Sequence, residues 1–188
     1  MKKLILLASL LLVASNVWSA GEYLPYDESA NAEIELANAI TEASKENKYV
    51  LIEMGANWCP DCRTLGRYFQ REDIKAWLDE RFIVVAVDVG EWDKNLEIAE
   101  RYGNPISEGI PSLVVLDSEG VMQFATLAGE LATAREMSGD DLIDWLKKQI
   151  QPILNLAPAC NTVIITSAAD LFSPMCLSTG IPLPLSFD

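Results

Sequence analysis

Two cysteines separated by two residues, Cys59 and Cys62, are the side chains best suited to do chemistry. The run that carries them, Gly55-Ala56-Asn57-Trp58-Cys59-Pro60-Asp61-Cys62, follows a short apolar stretch and leads into helical spacing. Pro60 suits the first turn of a helix, where its missing N–H costs nothing, so the helix is expected from about Cys59 to Gln70. A sulfur at a helix N-terminus lies beside unpaired backbone N–H groups and the positive end of the dipole, which stabilise a thiolate. Cys59 is therefore the expected nucleophile, at the solvent-facing start of the helix. Cys62, one turn on, is the thiol that attacks a mixed disulfide formed by Cys59, so that substrate leaves reduced and the pair leaves oxidised. Cys62 must first lose its proton, and Glu53, six residues before Cys59, is placed to accept it directly or through a water. The competing readings of a lone Cys-x-x-Cys are half a zinc site or a structural bridge.

The elements that must position these groups can be read from periodicity. Ala32, Leu36, Ala39, Ile40 and Ala43 recur at helical spacing between Asp27 and Asn47. Tyr49 to Met54 reads as a strand covered on both faces, Ile74, Trp77 and Leu78 mark a further helical face, and Phe82 to Val89 reads as a second buried strand. Together they make a βαβ unit with parallel strands. Leu96, Ala99 and Tyr102 suggest a short helix. Gly109-Ile110-Pro111 precedes a strand from Ser112 to Leu116, Asp117 to Gly120 is a turn, and Val121 to Thr126 is the return arm of a hairpin. Ser138 with Asp141 caps a last helix whose buried stripe is Leu142, Ile143, Leu146 and Ile150. The order is βαβ, then ββα, preceded by an N-terminal helix, an α/β fold with a central mixed sheet flanked by helices.

Composition narrows the function. The 188 residues, half of them hydrophobic and 22% charged, suit one globular domain with appendages. Histidine is absent, which excludes His-dependent triads and His-ligated metal. With 14 Lys and Arg against 28 Asp and Glu, a formal charge of -14, nucleic acid is an unsuitable partner. Lys2 and Lys3, the apolar run Leu4 to Ala14, and the small residues Val17 and Ser19 read as a cleavable signal peptide over residues 1–19. A retained membrane anchor is the competing reading, disfavoured because spanning a bilayer takes ~20 apolar residues. Export to the periplasm is the expectation. The main domain is expected over residues 20–151.

Glu53, the segment from Gly55 to Cys62, and Gly109-Ile110-Pro111 resemble the thioredoxin superfamily over roughly residues 28 to 150. Within it the chain is most similar to bacterial periplasmic members, of the type of the C-terminal thioredoxin-like domain of the membrane reductant carrier DsbD. The resemblance implies that Ile110-Pro111 is a cis peptide packed against the disulfide, that Trp58 borders the substrate groove, and that Glu53 occupies the buried-acid position. It also implies that Gly129 is a third groove-lining element and that Pro60, Asp61 and Ile110 meet the substrate. No cofactor is needed beyond the redox-active disulfide Cys59 to Cys62, and no stable metal is expected. Each position has a plainer reading: a trans turn proline at 111, a surface acid at 53, core packing at 58. For Asp61, neither a solvated turn residue nor a tuning charge prevails. Pro-Asp between the cysteines, Glu on the strand, and the longer segment Glu130 to Met137 depart from the usual family pattern.

Asp61 at ~6 Å and an effective dielectric of about 40 to 80 would oppose the Cys59 thiolate by roughly half to one pKa unit. The helix terminus opposes this by a comparable ~0.3 to 2 kcal/mol. Together with Ile110 before the proline, the balance leans toward a reductant. The expected partners are disulfide-containing exported proteins and a membrane thiol reductant carrier as electron donor. The alternative is a binding module or chaperone that uses the same groove without turnover. Isomerase activity is less expected, since no dimerisation domain is recognisable. The segment 152–188 holds five of the nine prolines, no Lys or Arg, and Cys160 with Cys176. It reads as a loosely packed extension whose cysteines bridge each other, with a zinc site shared with Cys59 and Cys62 disfavoured by spacing.

Overall fold

The apolar run at Tyr49–Gly55 forms β1, the strand on which the rest of the computed structural model is built. The structure describes residues 23–155. β1 runs parallel to β2 (Phe82–Asp88), in register from Tyr49↔Phe82 to Gly55↔Asp88, and antiparallel to β3 (Ser112–Leu116). β4 (Met122–Ala125) pairs antiparallel with β3 across an irregularity at Val115/Leu116, giving the mixed sheet β2-β1-β3-β4. As a central strand, β1 must be apolar on both faces: Val50, Ile52 and Met54 join one core cluster and Leu51 the other, all fully buried.

Helices cover both faces. α1 (Ala32–Glu46) and α4 (Leu96–Arg101) supply Leu36, Ala43 and Ile98 to the first cluster. α2 (Pro60–Phe69), α3 (Glu72–Arg81) and α5 (Gly139–Asn155) supply Leu65, Ile74 and Leu146 to the second. Each fully buried aliphatic side chain contributes about 1.5 to 3 kcal/mol. α1 starts where the Asn31 side chain accepts the Ile34 N–H and stops at Asn47, whose φ of 53° lies in the left-handed region. The mixed sheet between helices is the α/β architecture expected from the order of elements, and the thioredoxin-type fold that the resemblance implies.

Three details differ from the sequence reading. β2 is an edge of the sheet among the described residues, so Val84 is 39% exposed although the run Phe82 to Val89 reads as a buried strand. The segment Glu130 to Met137 contains a 3-10 turn (Ala134–Glu136) and buries Leu131 and Ala134 against the second cluster. α5 passes Pro152 and continues to Asn155, four residues beyond the point where composition changes. The expected signal peptide, the rest of the extension, Cys160 and Cys176 lie outside the described residues.

The start of α5 is closed by a reciprocal cap. Ser138 Oγ accepts the Asp141 N–H at 3.1 Å, and the Asp141 carboxylate accepts from the Ser138 N–H and hydroxyl. Ser138→Ala should therefore lower stability by about 1 kcal/mol, read as a shift in the urea midpoint at unchanged slope.

Candidate active site

β1 hands the chain to α2 through a tight turn, closed by the Cys59 N–H donating to the Ala56 carbonyl at 3.1 Å. Cys59 is the N-cap of α2, with extended backbone, and Pro60 takes the first helical position, exposed to solvent. The Cys59 sulfur accepts the Cys62 N–H at 3.2 Å, the bond a Ser or Asp side chain makes at an ordinary N-cap. The hydrogen bond from the Cys62 side chain, followed by those from the backbone of Cys62 and Asp61, lowers the Cys59 thiol to about 7. Burial and the Asp61 charge oppose that shift without reversing it.

Cys59 is not solvent-facing, as its place at the helix start suggests: it is 4% exposed. Its Sγ lies 3.6 Å from the Ile110 carbonyl, on the loop that leads into β3. The Ile110–Pro111 peptide is cis, and both residues are buried. Cys62 is fully buried, and burial first, then its hydrogen bond to Cys59, pushes its thiol far above the ordinary range. Both cysteines are free, so the pair is a dithiol holding one readily lost proton and one tightly held.

Glu53 is no surface acid. It sits inside β1, paired with Ala86 on one side and Leu113 on the other, 3% exposed. Burial raises its carboxyl to about 7, the Cys59 charge adds to this, and a hydrogen bond from Tyr26 opposes it. The Tyr26 hydroxyl donates to Glu53 Oε1 at 2.9 Å and also interacts with the Cys62 side chain. A Cβ at Gly55 would collide with that hydroxyl and come within 2.7 Å of Cys62 Sγ, so glycine here leaves room for the two groups to meet.

Tyr26 escapes the sequence reading because it lies in an irregular segment before α1, where no periodicity marks it as buried. Its signal is Asn57, inside the cysteine motif, whose side chain holds the Tyr26 backbone at both ends: it accepts the N–H at 3.1 Å and donates to the carbonyl at 2.8 Å.

Asp61 is not a solvated turn residue either. It is 6% exposed, accepts the Arg135 backbone N–H at 2.9 Å, and faces the Arg135 guanidinium at 3.6 Å. The segment Glu130 to Met137 thus returns to the cysteine motif, a connection across 74 positions that no local pattern reveals. Gly129 begins this return with a φ of 68°, and a Cβ there would approach the Glu108 carbonyl to 2.8 Å. Trp58 is 45% exposed, which excludes core packing as its whole role, and its indole N–H donates to the Gly90 carbonyl at 2.9 Å. The structure therefore links Cys59 directly with Cys62 and Ile110, and Glu53 with Tyr26, while Gly129 packs on the Glu108 backbone, two residues before Ile110. Among the described residues no group of three or more Cys, Asp or Glu side chains is arranged to hold a metal ion.

Residues 31–118 match the model of a family described as thioredoxin-like. The crystal structure of the disulphide isomerase from Xylella fastidiosa Temecula1 is 41% identical, with a TM-score of 0.66, over 67% of this chain and 96% of that one. The chain belongs to the thioredoxin superfamily. The oxidised C-terminal domain of DsbD from Neisseria meningitidis also matches, at 22% identity and a TM-score of 0.47, over 63% of this chain and 96% of that one. In this thioredoxin-like protein the helix-start cysteine, the cis proline and the buried acid come from three separate elements, so the site exists only in the folded chain.

The Glu53 shift has a stability consequence. Its carboxyl titrates near 7 when folded and near 4.5 when free, so the native state binds this proton more tightly. The contribution is complete below about 4.5 and is lost as pH rises to about 7, by at most about 3 kcal/mol. Glu53→Gln should remove that part of the pH dependence, seen as a smaller difference between urea unfolding at pH 5 and pH 8 than in the wild type.

Proposed function

We propose that this chain is a thiol-disulfide oxidoreductase that reduces disulfides of exported proteins through Cys59 and Cys62. One observation carries the reading: the Cys59 sulfur caps α2 and accepts hydrogen bonds from Cys62, so its thiol titrates at about 7 while Cys62 keeps its proton. The 41% identical relative, a disulphide isomerase, supports the same class of chemistry.

The reaction proceeds in two exchanges. The Cys59 thiolate attacks one sulfur of the substrate disulfide; a Cys59–substrate bond forms, the substrate S–S bond breaks, and the leaving thiolate takes a proton. Cys62 then gives up its proton and attacks Cys59 Sγ, forming the Cys59–Cys62 disulfide and releasing the second substrate thiol. Two electrons pass from protein to substrate. Glu53, with a carboxyl near 7, is matched to receive the Cys62 proton, and the Tyr26 hydroxyl between them is the hydrogen-bonded route. A cleft lined by Tyr23, Pro25, Gly66, Phe69 and Gln70 reaches Glu53 and offers the proton a path to water.

Pro111, cis and next to the Cys59 contact at Ile110, is assigned to the catalytic group with Cys59, Cys62 and Glu53, and Ile110, Gly129, Trp58, Pro60 and Asp61 to binding the polypeptide around its disulfide. Residues 1–19 are proposed as a cleaved export signal, residues 20–151 as the catalytic domain, the periplasm as the compartment, and a membrane thiol carrier as the electron donor. Likeness to a disulphide isomerase also favours a second reading, in which a substrate thiol resolves the mixed disulfide before Cys62 does and the outcome is isomerisation.

Reduced protein should react with iodoacetamide at Cys59 with a rate that rises through a midpoint at about 7 as the thiolate forms. It should catalyse insulin reduction by dithiothreitol, and Cys59→Ser should abolish this. Binding of unfolded protein without any turnover would instead establish the chaperone reading, and repair of a scrambled disulfide substrate by Cys62→Ala would establish isomerisation. Tyr26→Phe should slow resolution by about tenfold, read as a longer-lived mixed disulfide in rapid-quench experiments. The same change should move the Glu53 titration upward, because the hydrogen bond it removes holds that carboxyl down.

A further inference from the structure

The surface beside Cys59 is at once aromatic and acidic, and dithiol exchange by itself requires neither property. Trp58 and Trp92 are 45% and 43% exposed, with ring centroids 6.3 Å apart and planes inclined by 59°. Trp92 has a φ of 67°, a left-handed conformation unfavourable for a bulky side chain. The loop after β2 holds it there. Asp93 Oδ1 accepts the Glu91 N–H at 2.9 Å, Asn95 Nδ2 donates to the Asp88 carbonyl at 2.7 Å, and Lys94 bonds Asp88 at 3.0 Å. The Trp58 indole N–H is already used on Gly90, so what Trp58 offers a ligand is its π face.

A cleft adjoins Trp58, and among the residues lining it are Glu28, Asp88, Glu91 and Asp93, against Lys94 as the cation. The Lys94 ammonium is committed to Asp88 and the Glu28 carbonyl. An apolar ligand would gain nothing from this rim and would leave its carboxylates less well solvated. A lysine or arginine side chain gains from both features, since a cation within about 6 Å of an indole centroid is attracted by its π face and the carboxylates add to that attraction.

We propose that Trp58 and Trp92, rimmed by Glu28, Glu91 and Asp93, bind a lysine or arginine side chain of the disulfide-bearing polypeptide close in sequence to the cysteine attacked by Cys59. The proposal rests on the oxidoreductase reading and names its substrate class: disulfides with a cationic neighbour. Trp58 directly precedes Cys59, with Cα atoms about 3.8 Å apart, and an extended substrate advances about 3.3 Å per residue. Allowing for the reach of the indole and of the cationic side chain, the cation therefore belongs within about three residues of the attacked cysteine.

Three peptides, each closed by one intramolecular disulfide and differing only in Lys, Gln or Leu two residues from the same cysteine, test this. Each is mixed with the reduced full chain under single-turnover conditions, with 2-hydroxyethyl disulfide as a substrate lacking any side chain. The Lys peptide should be reduced about fivefold faster than the Gln peptide at low salt, and the ratio should shrink toward one in about 0.5 M NaCl. Trp92→Leu, which keeps apolar bulk but loses the π face, should lower the ratio to about two or less. Glu91→Gln, an exposed change that leaves both rings in place, should lower it as well. Equal rates for the Lys and Gln peptides, or a preference for Leu, would overturn the recognition site while leaving the reductase intact. Failure to reduce any peptide or 2-hydroxyethyl disulfide would overturn the oxidoreductase reading itself.

Discussion

The hydrogen bonds that converge on the Cys59 sulfur set the terms for everything around it. A thiolate can persist in a site only 4% exposed because N–H groups at the start of α2 and the Cys62 side chain replace the water it has lost. That replacement works only while Cys62 remains protonated, and its complete burial ensures that it does. The two sulfurs therefore differ in acidity although they share one helical turn. On the proposed reading, that difference gives attack to Cys59 and resolution to Cys62.

In the proposed cycle a thiol held so firmly must still be deprotonated, and a carboxyl within the central strand answers that need. Glu53 would be a costly residue at that position if it were permanently ionised. Near 7 it exchanges its proton at physiological pH, and the Tyr26 hydroxyl ties it to the dithiol. Tyr26 is held in turn by Asn57, so the motif that carries Cys59 also anchors the segment whose hydroxyl bonds Glu53. On the opposite flank, Asp61 accepts the Arg135 N–H and faces its guanidinium. Its negative charge opposes the Cys59 thiolate least among the influences on that group, because the backbone donors are nearer and Arg135 offsets part of the field.

Much of this was legible along the chain. Strand β3 and the buried stripe of α5 lie where periodicity places them, because side chains that must face a core repeat with the geometry of their element. Cys59 at a helix start followed from Pro60 and from the apolar run before it. Glu53 was legible as a candidate but not as a buried acid, since only pairing on both sides of β1 shows that water is excluded there. Likewise β2 reads as a buried strand, yet its long apolar run says nothing about whether a further strand lies beyond it.

What the sequence determined by itself was the chemistry on offer and the order of elements: two thiols one turn apart, a helix dipole behind them, and an α/β alternation to carry them. These are local matters, decided by residues within a few positions of one another. The tertiary structure decided which groups meet the thiols. Tyr26, Arg135 and the Ile110 carbonyl come from positions 31 to 74 residues away from the motif residues they touch, and Trp92 comes to Trp58 from across the βαβ unit. The physical reason is that burial and hydrogen-bond geometry are properties of packing, and packing brings together segments whose local sequences carry no record of one another.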